Sequence, residues 1–256
     1  MTALDIHMFP CLSDNYGYLI RDPATGACAA IDTPDFDAID AALNETGWRL
    51  THILNTHHHG DHTGANLQLK EKWGCVIVGP RADEERIPGI DVLVGDGDTF
   101  RLGEAEAMVF DTPGHTRGHI VYYFAESKAA FVGDTLFALG CGRLFEGTPE
   151  QMWISLQKLA NLPDDTSVYC AHEYTQANAR FALTVEPQNA ALVARSSEID
   201  AKRAEGKPTI PTRIDLEKAT NPFLRPQSPD LQTTLAMVGA DPVAVFAETR
   251  RRKDAF

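Results

Sequence analysis

Within six residues the chain places four histidines and an aspartate, His57-His58-His59-Gly60-Asp61-His62. No other feature constrains the fold as strongly. The run follows Thr51–Asn55, a short and partly β-branched apolar stretch that reads as a strand, and precedes a helix start at Thr63-Gly64. Clustering this many imidazoles without a cation to hold is costly, so a plain polar loop accounts for it poorly. Its internal position excludes an affinity tag. In a loop leaving a strand, His57 and His59 point to one side and His58 to the other. Asp61 and His62 then come round the turn toward a second position. One loop thus offers two pairs of nitrogen and oxygen donors, a chemistry that suits zinc, iron or manganese.

Three later segments complete the pattern: Thr112-Pro113-Gly114-His115-Thr116, Val132-Gly133-Asp134-Thr135 and Cys170-Ala171-His172-Glu173-Tyr174. Each presents a His or Asp just past the carboxyl end of an apparent strand, where sheet proteins build their sites. Taken with the first loop, they give His57, His59 and His115 for one metal and Asp61, His62 and His172 for a second. Asp134, with two carboxylate oxygens, is the natural bridge. Asp61 and Asp134 are the carboxylates expected to serve catalysis as well. His7, His52, His58 and His119 read as non-ligands, one of them a group that orients a ligand. Asp32 ends a strand and either orients a ligand histidine or starts a turn. Glu173 reads as surface charge and Asn15-Tyr16 as structural. Cys11, Cys28, Cys75, Cys141 and Cys170 form no CxxC pair and read as small core residues, reduced as in a cytosolic protein.

Strands are expected at Tyr16–Arg21, Ala27–Asp32, Thr51–Asn55, Cys75–Val78, Ala105–Thr112, His119–Phe124, Ala129–Val132 and Thr166–Cys170. Helices interrupt them at Asp37–Thr46, Ala65–Trp73 and Pro149–Leu162, the last opened by Thr148-Pro149-Glu150-Gln151. Strands mixed with helices predict an α/β layer protein. Beyond residue 173 the pattern turns helical, at Thr175–Thr184, Gln188–Arg203 and Pro242–Arg252. A chain of 256 residues accommodates one large domain plus a smaller one, here residues 1–172 and 173–256. The formal net charge of −13 disfavours a nucleic-acid partner. The N-terminus lacks a basic segment followed by an apolar run. No stretch reaches ~18 apolar residues, so no membrane span is expected and the chain reads as cytoplasmic.

THHHGDHTG, TPGHT, GDT and a later histidine, in that order, resemble the metallo-β-lactamase superfamily. Cys141-Gly142-Arg143-Leu144-Phe145-Glu146-Gly147-Thr148, then His172-Glu173-Tyr174-Thr175 with Asn178 and Phe181, is similar to glyoxalase II, the hydroxyacylglutathione hydrolases. The ending Arg250-Arg251-Arg252-Lys253-Asp254 with Phe256 shares that likeness, which spans the whole chain. The resemblance implies an αββα sandwich with a smaller all-helical C-terminal domain. It also implies two divalent metal ions per chain, zinc first, with iron or manganese as alternatives.

The implied reaction is hydrolysis of S-D-lactoylglutathione to D-lactate and glutathione, a step of methylglyoxal detoxification, by a monomer whose partner is a small-molecule glutathione thioester. Glutathione-binding positions of the family match Arg143, Tyr174, Arg250 and Lys253. Many members carry Lys where Arg143 stands and Tyr where Phe145 stands, so a hydroxyl contact at Phe145 is missing. On a helix Arg250 and Lys253 share a face, which leaves Arg251 and Arg252 to solvent. Residues 1–199 carry net −15, so an anionic substrate needs such local cations. The competing readings are a one-iron persulfide dioxygenase, which lacks this C-terminal extension, a lactonase or β-lactamase, and a non-catalytic metal binder.

Overall fold

The computed structural model describes residues 3–256; Met1 and Thr2, the start of the segment read for an export signal, lie outside them. Two compact units emerge. One runs to Thr112 and resumes over Arg117–Gly133; the other comprises Pro113–Thr116 and Asp134–Phe256.

The first unit contains two sheets. In one, β1 (Asp5–Cys11), β2 (Asn15–Arg21) and β3 (Cys28–Ile31) run antiparallel. β4 (His52–Leu54), β5 (Val76–Pro80) and β6 (Val92–Val94) continue that sheet in parallel from β3. The helices α1 (Phe36–Thr46) and α3 (Asn66–Trp73) are the crossovers that parallel pairing demands, with the single turn α2 (Gly60–Thr63) ahead of α3. Their apolar faces form a core with the sheet through Ile39, Leu43 and Leu69 against Leu19, Ile53 and Ile77, all buried. The second sheet is an antiparallel run of β7 (Thr99–Leu102), β8 (Ala105–Asp111), β9 (Ile120–Phe124) and β10 (Ala129–Gly133). The two sheets meet face to face. Tyr18 of β2 packs edge-on to Phe131 of β10, 5.7 Å between ring centroids, and the Tyr122 hydroxyl of β9 donates to the Asn55 carbonyl at 3.0 Å. Strands covered on both sides read as continuous apolar runs, which is why β2, β3, β9 and β10 were visible in the sequence.

The second unit begins with the hairpin β11 (Leu136–Phe137) and β12 (Gly140–Cys141) and includes the pair β13 (Ser167–Cys170) and β14 (Thr212–Arg213). Its helices are α4 (Pro149–Ala160), α5 (Thr175–Val185), α6 (Ala190–Ala204), α7 (Ile214–Thr220), α8 (Pro229–Leu235) and α9 (Pro242–Asp254). α4 starts at the expected signal, as a full capping box between Thr148 and Gln151 with proline in the first turn. α5 and α6 share a core of Ala179, Ala182, Leu192 and Ile199 with Leu139 of the hairpin turn. Phe181 stacks on Phe223 at 6.1 Å and Phe223 meets Phe246 edge-on at 6.0 Å, joining α5 to α9.

A buried ion pair holds the hairpin. Arg195 of α6 and Glu217 of α7 meet at 2.5 Å. The second Glu217 oxygen accepts from the Leu139 amide at 2.8 Å and from Asn221 Nδ2 at 2.9 Å. The same Asn221 amide donates to the carbonyls of Phe137 and Gly140. No helix in the described residues is long and apolar enough to cross a membrane.

Candidate functional site

The first unit supplies the histidine-rich loop. β4 is a three-residue strand that ends at Leu54, and the chain leaves it through Asn55-Thr56 into His57. Asp32, at the end of β3, organises this loop. One of its oxygens accepts from the Thr56 amide at 2.7 Å; the other accepts from the Thr56 hydroxyl at 2.8 Å and from His62 Nδ1 at 2.7 Å. Of the two roles left open for Asp32, the structure shows it orienting a histidine, the candidate ligand His62.

Proton bookkeeping fixes which nitrogen carries the proton in each neutral ring. The Thr56 hydroxyl gives its hydrogen to Asp32, so at 3.1 Å from His57 Nδ1 it accepts. His57 Nε2 is left as a lone pair, and it faces His59 Nδ1 at 3.0 Å. His62 likewise donates through Nδ1, which leaves its Nε2 as an acceptor 3.6 Å from Asp61 Oδ2. Asn15 Nδ2 donates to that Asp61 oxygen at 3.2 Å. Asn15 thus orients a candidate ligand, where the sequence suggested only a structural residue. The two lie 46 positions apart, and nothing local signals the contact.

His58 turns away, as the alternation predicts. Its Nδ1 meets the buried Asp83 carboxylate at 3.1 Å, and Arg86 donates to its Nε2 at 3.3 Å. His119 stacks on His57 at 4.8 Å with Nδ1 on the Thr112 hydroxyl, a flanking ring in the manner expected of a non-ligand. Gly133 lies at φ +47°, where a side chain would be strained. A Cβ there would also come within 2.6 Å of both His119 Nε2 and Thr56 Oγ1.

The second unit supplies His115, Asp134 and His172 and brings them together. His115 Nε2 lies 3.3 Å from Asp134 Oδ2, and His172 Nε2 lies 3.4 Å from Oδ1. The other His115 nitrogen is 2.8 Å from the Arg143 carbonyl. A carbonyl only accepts, so Nδ1 carries a proton and Nε2 is the nitrogen turned to the carboxylate. In the neutral tautomer that leaves two acceptors this close, which a proton or a metal ion must bridge. Gly142 permits the approach, since a Cβ there would be 2.0 Å from the Asp134 carbonyl. The donor chemistry in both units therefore fits divalent metal ions: neutral imidazoles oriented from behind and carboxylates in front. All seven residues named from the sequence are candidate metal ligands, and among the described residues no other His, Cys, Asp or Glu is.

The expected substrate residues also fall in the second unit. Tyr174 lies flat on His172, 4.7 Å apart with 2° between planes, and Phe137 meets both rings edge-on. Phe145 is 62% exposed and packs edge-on to His115 at 5.2 Å. Arg250 is buried, with its Nη1 on the Cys141 carbonyl at 2.9 Å and its guanidinium over Phe223 at 5.1 Å. Lys253 is half-buried between the Phe181 and Phe256 rings, each 5.3 Å away, and donates to the Ala177 carbonyl at 3.3 Å. Burial, together with Arg250, Arg180 and Arg143, pulls its ammonium down to about 8.

Two expectations need correction. Arg252 is not left to solvent; it binds Glu248 and donates to the Thr234 and Leu235 carbonyls at the end of α8. Glu173 is not mere surface charge; its two oxygens accept from the Thr209 amide and hydroxyl at 2.9 and 2.7 Å. The cysteines are all buried, and burial pushes Cys170 up to about 12 and Cys141 to about 11, so neither supplies a thiolate.

The fold and these donor sets define a class. Residues 18–172 match the metallo-β-lactamase superfamily, and residues 173–256 match the hydroxyacylglutathione hydrolase C-terminus. A crystal structure of ETHE1 from Myxococcus xanthus superposes with a TM-score of 0.67 at 28% identity, covering 100% of both chains. A hydroxyacylglutathione hydrolase of Methylococcus capsulatus is 56% identical over 253 residues, 99% of either chain. One of Rhodospirillum rubrum is 57% identical over 256 residues, 100% of both. The chain belongs to the hydroxyacylglutathione hydrolase family of the metallo-β-lactamase superfamily.

Proposed function

We propose that this protein is a metal-dependent thioester hydrolase that converts S-D-lactoylglutathione to D-lactate and glutathione, the hydrolytic step of methylglyoxal detoxification. The observation that carries the substrate class is the match of residues 173–256 to the hydroxyacylglutathione hydrolase C-terminus. We assign His57, His59 and His115 to one divalent ion and Asp61, His62 and His172 to another, with Asp134 shared. Zinc is the first candidate, with iron and manganese as alternatives. When bound, such ions supply Lewis acidity, lowering the pKa of water and stabilising a developing oxyanion.

The chain's own residues do the rest. Asp32, Thr56 and the Arg143 carbonyl accept from Nδ1 and so aim the imidazoles with Nε2 forward. Asn15 keeps Asp61 in place. Tyr174, Phe145, Arg143, Arg250 and Lys253 form the glutathione-binding set, on residues 173–256 and on the segment after Asp134. The leaving group is a thiolate of ordinary pKa ~8.5, so no strong general acid is required, consistent with the buried, neutral cysteines. The functional division is placed at 172/173, and the enzyme is taken as a cytoplasmic monomer.

The test compares S-D-lactoylglutathione with a thioester of N-acetylcysteamine, which carries no carboxylate. The proposal expects kcat/KM to favour the glutathione thioester by at least ~10-fold, the effect of about one good charged contact. Equal turnover of the two, or no thioester cleavage, would refute the substrate assignment.

A further inference from the structure

We propose that Asp254 is a positioning residue for substrate: one of its oxygens couples exposed Arg143 to buried Arg250 and so aims the Arg143 guanidinium at a substrate carboxylate. The inference rests on the glutathione-thioester function and adds to it a residue and a division of labour among the cations.

The division follows from what each cation already touches. Arg250 is spoken for on three sides. Its Nη1 donates to the Cys141 carbonyl at 2.9 Å, its Nη2 lies 2.8 Å from Asp254 Oδ1, and its flat face covers the Phe223 ring at 5.1 Å. A buried guanidinium so engaged is an anchor between α9 and β12. Arg143 is the opposite case. Its side chain is 60% exposed, and its Nε lies 3.5 Å from that same Asp254 oxygen. A planar guanidinium met at Nε keeps its two Nη groups for another partner. They form the fork that matches a carboxylate bidentately.

Asp254 also stands where the chain is otherwise positive. Arg143, Arg180 and Arg250 all bear on the Lys253 ammonium, and Asp254 is the carboxylate that opposes them. Two roles are open to such a carboxylate. It could occupy the place of a substrate carboxylate and compete with it, or it could order the cations that bind one. The distances favour ordering. Asp254 Oδ1 is closest to the buried Arg250, at 2.8 Å, and meets the exposed Arg143 at Nε, 3.5 Å away. The Arg143 carbonyl adds weight to keeping this residue fixed, since it holds His115 Nδ1 at 2.8 Å.

The experiment is steady-state kinetics of the full-length, metal-loaded enzyme on S-D-lactoylglutathione and on the N-acetylcysteamine thioester. Asp254→Asn and Asp254→Ala are expected to raise KM for the glutathione thioester about fivefold with kcat within about twofold, as loss of a partly exposed charged contact would. The carboxylate-free thioester should keep its kcat/KM. Asp254→Glu should restore most of the lost affinity. The double variant Arg143→Ala/Asp254→Asn should be no worse than Arg143→Ala alone, because Asp254 acts through Arg143. Glu248→Gln, which breaks the neighbouring pairs to Arg251 and Arg252 on the same helix, should leave KM unchanged.

A fall in KM would overturn the proposal in favour of competition. An unchanged KM, equal losses on both thioesters or full additivity with Arg143→Ala would overturn it as well. A wild-type enzyme indifferent to the carboxylates of its substrate would refute the substrate reading itself, a failure visible before any variant is made.

Discussion

At the residue scale, the account rests on which nitrogen of each histidine is already committed. Asp134 faces two imidazoles in the second unit, while His58 is tied to Asp83 and Arg86 in the first. Asp134→Ala should therefore lower kcat by at least ~10³-fold, in the range of losing a principal charge-stabilising group, with His58→Ala costing under ~10-fold. Comparable losses in steady-state assays of the two would contradict the ligand assignment. The same scale carries a pH prediction. Lys253 sits at about 8, below the ordinary lysine value, so it is a cation below that pH and a neutral amine above it. KM for the glutathione thioester should be flat on the acidic side and climb as pH rises past 8, with kcat following a different profile. Lys253→Arg should abolish the climb, since a guanidinium does not titrate there. A KM that stays flat from about pH 7 to ~9.5 in the wild type would exclude Lys253 from substrate binding.

Among elements, legibility tracked burial and local signals. The ligand loop, α4 with its capping box, and the strands buried on both faces were all readable, because their patterns are local and strong. Edge elements were not. β1 contains Pro10 and carries no alternation, which an edge strand tolerates. β6 and β7 are three and four residues long, too short for a period to register. α7 and α8 have seven residues each, too short for a helical period to register. Asn15, Asp83 and Asp254 escaped for another reason: their contacts with Asp61, His58 and Arg143 join residues far apart in sequence. Asp32 was legible as a position and not as a role, since its contacts with Thr56 and His62 span 24 and 30 residues.

The hairpin β11–β12 owes its shape to an element far along the chain. Glu217 binds Arg195, the Leu139 amide and Asn221 at once, with no exposure to solvent. Glu217→Ala should cost about 3–5 kcal/mol, because it strands a buried guanidinium and a backbone N–H. Urea denaturation would measure this directly. A loss under ~1 kcal/mol, the value of an exposed pair, would mean that the pair does not support the hairpin.

For the whole molecule, the central claim is that residues drawn from both ends of the sequence make one metal-dependent thioester hydrolase in a chain of net charge −13. An acidic protein meeting an anionic substrate must rely on local cations and on metal charge. The family supplies the reaction class and the oriented imidazoles supply the reason a metal belongs there, while Arg143 and Lys253 are the cations proposed to attract the substrate. The most direct test is hydrolysis of S-D-lactoylglutathione, followed at the thioester absorbance, through a cycle of chelation and metal return. The account predicts that activity disappears on removal of the metal and returns on titration with zinc, iron or manganese, levelling off at about two ions per chain. Full activity after exhaustive chelation, or saturation at a single ion, would contradict it.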